Sequence, residues 1–568
     1  MIGTDDLVKV KTDVLVVGAG LAGLAAAVRL RELDGNADVR LVTKVHPVRS
    51  HSGAAQGGIN AAIRGNDRWE DHKYDTVKGS AYLADQDAVR VLCSEAPEAI
   101  HRLDRYGSLF SRNPDGSIAQ RAFGGQRTNR TCYSADKTGH VLLHTLYEQA
   151  LRRQVPIHYD CFVLGFLRGG GRIAGALAYD MLNGKLVLFE CKAMIVATGG
   201  AGRVVGQSSN ALINTGDGAA MALRIGLPLL DMEFLQIHPT GILNGILITE
   251  GARGEGGTLV NKDGERFMAR YAPKFMELGP RDLVARSIQR EINEGRGFAH
   301  GGVHLDLTHL GKEKITAKLG QIREIAIFFA GVDPIEQPIP VRPTAHYTMG
   351  GIDVDVDCRT ELPGFFSAGE SSCVSVHGAN RLGGNSLMET IVFGARAGKS
   401  AHEFLAGADH AAIDAEDLAD VLGRVDALLA TKDGEPPGAI RLDMERTMIA
   451  NFGIFRRLDA MREAVPVLDD LGARYRKAWL RHKGAIYNQD LVHTWQLGNM
   501  LDLCRAIALG ATHRLESRGA HYLEEYPRLD NERFLRHTAV RRRGGGALDL
   551  SYKPVTIEDI EPVSEIQY

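Results

Sequence analysis

The sequence predicts an α/β protein of the doubly wound kind, and three observations predict it. Residues 13–17, Asp13 followed by Val14-Leu15-Val16-Val17, form an apolar run suited to a buried parallel strand and lead into Gly18-Ala19-Gly20-Leu21-Ala22-Gly23 and an alanine-rich helix. A second strand-like run, Val39-Arg40-Leu41-Val42, arrives one helix later. Residues 192–196 then repeat the core-strand pattern and end in Ala197-Thr198-Gly199-Gly200. Short β-branched runs alternating with helical segments define the class.

The first strand, turn and helix form a G-x-G-x-x-G unit. Gly18 permits the tight turn, Gly20 lets a pyrophosphate approach the backbone, and the helix N-terminus faces negative charge. The unit departs from the usual dinucleotide fingerprint in one respect: Thr43-Lys44 stand where an acid is expected after the second strand. A lysine there suits a 2'-phosphate. The loop that follows at once, Arg49-Ser50-His51-Ser52-Gly53-Ala54-Ala55-Gln56-Gly57-Gly58, instead favours a flavin dinucleotide whose ring reaches past it.

From about Leu235 the pattern changes. Val303, Leu305 and Leu307 alternate with His304, Asp306 and Thr308 as in a half-buried strand, and residues 281–292 read as a helix. An inserted α+β capping domain is expected over 235–343, splitting the nucleotide domain into 1–234 and 344–408. The resumed part carries Gly364-Phe365-Phe366-Ser367-Ala368-Gly369-Glu370, a strand running into small residues and an acid suited to a ribose. A helical domain follows over 409–520, with Leu497, Leu501, Cys504 and Ala508 on one buried face, residues 458–477 amphipathic, and a Gly/Pro break at 432–438. A small C-terminal region closes the chain over 521–568, and Arg541-Arg542-Arg543 with three glycines reads as a solvated loop.

Two patterns are decoys. Gly394-Ala395-Arg396-Ala397-Gly398-Lys399-Ser400 resembles a phosphate loop but has one residue too few between its glycines and no leading strand, so a packing helix is expected. His140 and His144 have helical spacing without an H-E-x-x-H motif or a third ligand, so no metal site is expected.

A chain of 568 residues, 44% hydrophobic, is long enough for several domains with large cores. Its net charge of -3 gives no bias toward nucleic acid. Seven scattered cysteines without a C-x-x-C pair read as reduced thiols, with no disulfide framework and no iron-sulfur site of its own. The N-terminus mixes acids and bases without a leader pattern, and the longest uncharged run, 14–28, is too short and glycine-rich to span a membrane, so a cytoplasmic protein is expected.

Residues 44–58 resemble the flavin-attachment segment in the flavoprotein subunits of succinate dehydrogenase and quinol:fumarate reductase. The resemblance recurs in Thr131-Cys132-Tyr133-Ser134-Ala135-Asp136-Lys137-Thr138-Gly139-His140, His238-Pro239-Thr240-Gly241, Thr249-Glu250-Gly251-Ala252-Arg253-Gly254, His346-Tyr347-Thr348-Met349-Gly350-Gly351 and residues 379–386. It implies a Rossmann-like FAD-binding domain, with FAD joined covalently to His51 and held by Gly18, Gly20, Gly23, Lys44, Ser50, Gly58, Asp217, Glu370, Ser386 and Leu387. Phe123, His238, Thr249, Glu250, His346 and Arg381 would bind succinate or fumarate, and Arg281 would move the substrate proton through Arg253 and Glu250.

Each residue also has a plainer reading. His238 before Pro239 fits a turn, His346 a core histidine, Arg281 a helix-start arginine paired with Asp282 or Glu291, and Asp217 and Glu370 helix caps. The resemblance further implies an iron-sulfur subunit, a membrane anchor with quinone, and a peripheral site on the cytoplasmic face of the membrane. L-aspartate oxidase, a soluble relative that typically lacks the attachment histidine, and a flavin-binding scaffold without catalysis are the competing readings.

Overall fold

The computed structural model describes residues 7–565. Residues 1–6, part of the N-terminal segment read above for a leader, lie outside the described residues. The first strand spans Val8–Val17, starting earlier than its apolar run because Val8 to Thr12 pair in parallel with Val187 to Cys191. The helix Leu21–Leu33 returns the chain to Val39–Val42, which pairs in parallel with the first strand.

The main sheet runs Ile157–His158, Val39–Val42, Val8–Val17, Lys185–Val196, Arg172–Asp180, Cys161–Gly169. The long strand Lys185–Val196 divides one edge between two neighbours. Its first half carries the antiparallel arm Arg172–Asp180, and its last residues, Met194 to Val196, pair in parallel with Phe365–Ser367. The sheet is therefore mixed, where the sequence predicted a parallel one. The arm is nearly all buried on both faces, so it shows none of the alternation that marks an antiparallel strand.

The helix Asn385–Leu405 packs on Leu21–Leu33 through small residues. A Cβ on Gly394 would strike the Ala22 carbonyl and one on Gly398 the Ala26 carbonyl. The phosphate-loop lookalike is thus a helix-packing seam, as its spacing suggested.

The inserted region forms an antiparallel sheet in the order Leu235–Ile242, Ile339–Thr348, Val303–Asp306, Thr258–Val260, over a core that includes Leu259, Val284, Ile288, Leu305 and Val341. The alternating strand ends at Asp306, and Thr308 to Leu310 turn into a short helix. Leu235–Ile242 and Ile339–Thr348 are the two strands that join this cap to the nucleotide domain, and the second crosses the expected 343/344 boundary.

The helices Ala415–Ala430, Pro437–Phe452, Leu458–Tyr475 and Gln489–His513 follow. Leu497, Leu501, Cys504 and Ala508 are buried as expected, but so are residues on the other faces, and the Trp495 indole N–H donates to the Leu164 carbonyl at 3.1 Å. The C-terminal region is integrated into the body: Arg536–Arg542 pairs with Leu229–Leu230 and with Leu548–Pro554. Arg541 and Arg542 therefore lie in a strand, contrary to the loop predicted for them, and only Arg543 and the glycines make the turn. All seven cysteines are buried and free.

Candidate active site

One cavity of about 540 Å³ runs from the glycine turn to the cap. At one end the helix Leu21–Leu33 begins at Gly20, in extended backbone with no side-chain cap. Gly18 takes φ of 107° and passes so close to the Ala197 carbonyl that a Cβ could not fit. Apart from the Leu21 N–H, which Ser52 takes, the unbonded N–H groups of that first turn and the helix dipole suit a pyrophosphate. Gly23 does not line the cavity. Its missing side chain lets the helix close on the Gly18 carbonyl and Val16, so in this structure it serves packing.

The loop carrying His51 is stitched to this turn. Ser50 Oγ donates to the Ala19 carbonyl at 3.1 Å and the Leu21 N–H donates to Ser52 Oγ at 3.3 Å. Lys44 makes an ion pair of 2.6 Å with Asp217, whose other oxygen accepts from the Asn499 amide at 2.6 Å. Asp217 is the first residue of its helix, after Gly216, and is committed to that lysine, so it is no helix cap. Glu370 is half-buried on the cavity wall with the Thr348 N–H as a donor at 2.9 Å, and desolvation pushes its pKa up to about 8. A half-buried carboxyl with room for further donors fits ribose hydroxyls. Ser386 and Leu387, in the first turn of Asn385–Leu405, and Gly58 complete this wall.

His51 is half-buried on the cavity wall, and desolvation, with Arg203 nearby, lowers its pKa to about 4. The ring is therefore neutral at physiological pH, with the Ala211 N–H donating to Nδ1 at 3.3 Å. A neutral imidazole retains a nucleophilic nitrogen. Asn210 donates to the His346 carbonyl at 2.7 Å, and Ser209 Oγ lies 2.8 Å from His346 Nδ1, tying the loop at 207–211 to both histidines. The sequence reading missed Ser209 and Asn210, since a short polar run carries no periodic signal.

At the cap end, Glu250 and Arg281 meet. Arg281, at the start of Arg281–Asn293, donates from Nε to Glu250 Oε2 at 2.9 Å and from Nη1 to Gln236 at 3.2 Å. Its partner is Glu250 rather than Asp282 or Glu291, which corrects the plainer reading. The other Glu250 oxygen accepts the Gly124 N–H at 2.7 Å, and Arg253 lies 4.0 Å away. Burial alone would raise the Glu250 pKa, but Arg281, Arg253 and the Gly124 N–H hold it below the ordinary value. Arg253 stands behind Glu250, outside the cavity lining, with its guanidinium bonded to the Glu277 carbonyl.

His238 and His346 face each other edge to face at 5.1 Å, from neighbouring strands. His238 lies within a strand at a bulge, so the turn reading falls. Its Nδ1 accepts the Thr240 N–H at 3.2 Å, which assigns the ring proton to Nε2, and Nε2 has no partner among the described residues. Burial first, then Arg281, depresses both histidines well below their usual pKa. Thr249 caps the short helix Glu250–Gly254, its Oγ1 accepting the Gly251 N–H at 3.3 Å. Phe123 lies against Gly57, between the two halves of the cavity. Arg381 completes the ring of donors. His238 Nε2 and Arg381 Nε are buried donors without partners on the cavity wall, a pair that fits an anion; Arg253 Nε is also without a partner but lies behind Glu250.

Comparison with known proteins agrees with this geometry. The FAD binding domain family matches residues 13–387 and the fumarate reductase flavoprotein C-terminal family residues 441–568. The succinate dehydrogenase flavoprotein subunit of Rickettsia bellii is 43% identical, with 96% of each chain covered. The chain belongs to the succinate dehydrogenase and fumarate reductase flavoprotein family. The fumarate reductase flavoprotein subunit of Escherichia coli K12 is 42% identical over 98% of this chain and 96% of its own. The solved structure of a point variant of E. coli quinol fumarate reductase FrdA superposes with a TM-score of 0.95 at 41% identity, covering 98% of this chain and 99% of that one. As a member of this flavoprotein family the chain is an FAD-dependent oxidoreductase.

Proposed function

We propose that this flavoprotein interconverts succinate and fumarate, with FAD bonded to His51, and passes electrons to an iron-sulfur subunit and on to quinone at a membrane anchor. The observation that carries the reading is the carboxylate at the cap end of the cavity, Glu250, braced by Arg281 and Arg253 and lining with His238, His346 and Arg381 the same cavity that holds the glycine cradle. Bound FAD would supply the hydride acceptor and donor. The chain's own residues would do the rest. Arg381, His238 and Thr249 would hold the two carboxylates through charged and neutral donors. Arg281 would move the proton at the substrate carbon next to the one exchanging hydride, with Glu250 and Arg253 as its relay. A guanidinium ordinarily keeps its proton, so this role requires the desolvated setting and neighbouring cations found here. Enclosure by the cap would keep water from the site and strengthen these contacts.

Among the described residues no helix is long and apolar enough to cross a membrane. Attachment to the cytoplasmic face of the membrane would therefore come from partner subunits. Anaerobic bleaching of the flavin by succinate and by aspartate, on protein first tested for flavin that survives denaturation, tests the assignment. Bleaching by succinate alone with retained flavin is expected. Bleaching by aspartate with extractable flavin would move the protein to amino-acid oxidation.

A further inference from the structure

Arg381 differs from most buried arginines in having no acid partner, and from Arg456, which lacks one too but is bonded to His521 Nδ1 at 2.7 Å and the Glu233 carbonyl at 2.9 Å, in having almost no hydrogen bonds. Arg514 meets Glu233 at 2.7 Å and Glu516 at 3.1 Å, Arg130 meets Asp67 at 3.0 Å and Asp75 at 2.7 Å, and Arg281 meets Glu250 at 2.9 Å. Among the described residues no carboxylate lies within ion-pair reach of Arg381; its side chain makes one long bond, 3.5 Å from Nη1 to the Leu382 carbonyl. Its Nε is buried without a partner. What it does touch is a ring: the guanidinium carbon lies 4.5 Å over the face of Tyr347.

That ring is itself anchored. The Tyr347 hydroxyl donates to Glu389 Oε2 at 2.5 Å, and His377 Nε2 lies 2.9 Å from the same oxygen. The His377 ring stands edge-on to Tyr347 at 5.2 Å. All three side chains are buried, and they come from three separate places: the strand Ile339–Thr348, the loop at 374–384 and the helix Asn385–Leu405. Glu389 thus touches the hydroxyl end of the ring while Arg381 rests on its face.

We propose that Tyr347, Glu389 and His377 form a positioning unit that carries Arg381 without an acid partner, leaving its charge and in-plane N–H donors for a substrate carboxylate. The inference rests on the reading of Arg381 as a carboxylate anchor. A guanidinium already paired with a protein carboxylate must break that pair before it binds another. A π face attracts the cation without using the N–H groups at its edge. A phenol donating to a carboxylate is a more electron-rich ring than a free one, so the Glu389 contact strengthens the attraction and fixes the plane in which the guanidinium lies. Burial, and Arg281 next, pull the Arg381 pKa down to about 9, the mark of a cation left without its counter-charge. A dicarboxylate is the missing partner.

The test is a double-mutant cycle on the flavin-loaded complex, reading the dissociation constant of malonate, an inert dicarboxylate, from the flavin absorbance change, together with KM and kcat for fumarate. Tyr347→Leu is expected to weaken malonate and raise KM by about tenfold or more, the loss of a desolvated cation–π contact, with kcat changed less. Tyr347→Phe, which keeps the ring, should cost about threefold, and both effects should vanish in an Arg381→Met background. If Tyr347→Leu does not fold with flavin, the Tyr347→Phe pair decides the matter by the same criterion. An unchanged malonate constant in the Tyr347 variants, or an equal loss with and without Arg381, overturns the positioning role. If Arg381→Met itself binds malonate as well as the parent, the carboxylate-anchor reading fails first and the positioning role falls with it.

Discussion

Glu250→Gln separates binding from chemistry at this site. The carboxylate makes two contacts of different kinds, Oε2 to Arg281 Nε at 2.9 Å and Oε1 to the Gly124 N–H at 2.7 Å. Both partners are donors, whereas an amide offers one acceptor and one donor group. Glutamine can keep one contact, and its NH2 must then face the other donor. Losing a hydrogen bond to a charged group costs about 1.5–3 kcal/mol, enough to free Arg281 from its position. Loss of a proton-relay member adds the usual general acid–base factor, so kcat should fall by roughly 10²–10⁴ in both directions. The sign for binding is opposite. Removing the one negative charge that holds Arg253 and Arg281 in check makes the cavity more positive, so malonate should bind at least as tightly as in the parent. Fumarate reduction with a reduced viologen, succinate oxidation with a dye acceptor and malonate titration of the flavin give the three quantities. A variant with kcat within about threefold of the parent, or one whose malonate affinity collapses with kcat, refutes the relay and makes Glu250 a binding residue.

His51→Ala should retain FAD, since the glycine cradle, Glu370 and the Lys44–Asp217 pair remain, but the flavin should dissociate on denaturation and succinate oxidation should suffer far more than fumarate reduction; a fluorescent flavin band surviving on a denaturing gel would contradict this. His537, buried between Asp231 at 2.6 Å and Asp85 at 3.3 Å, has its pKa raised to about 10 although burial alone would lower it. Because the folded value lies above the unfolded one, its contribution to stability is complete below about pH 6.5 and fades as pH rises toward 10, so thermal scans across that window should converge with those of His537→Gln at the alkaline end. Arg514→Met leaves Glu233 in the interior without its cation, while Glu516 keeps Arg518 at 2.8 Å; an uncompensated charge there costs about 3–5 kcal/mol and should lower the unfolding temperature or the soluble yield, and an unchanged scan would show that water reaches the network.

What the sequence showed plainly is what depends on neighbours along the chain. Gly18 and Gly20 announce themselves because the turn they make is local, and Gly394 and Gly398 could be read as packing because their spacing failed a phosphate loop. The mixed edge of the main sheet was hidden for the opposite reason: Cys161–Gly169 and Arg172–Asp180 are apolar on both faces, so no pattern tells their direction. Arg541 and Arg542 look like a solvated run until the strand Leu548–Pro554 comes back to pair with them. At the site, Glu250 and Arg281 were named by resemblance, but their contact spans a fold of the cap, and nothing in the spacing of either residue states it. The Arg253 position behind Glu250, and the acid-free setting of Arg381, belong to the three-dimensional arrangement alone.

The two strands that join the cap to the nucleotide domain also carry His238 and His346. A door whose hinge pins are part of the lock behaves differently from one that merely covers it. Arg281 is bonded at 3.2 Å to Gln236, two residues before His238 on the first of those strands, so a rotation about them would turn the histidines and the arginine together on short arms. The groups that grip the ligand and the group that moves its proton would therefore shift as one set.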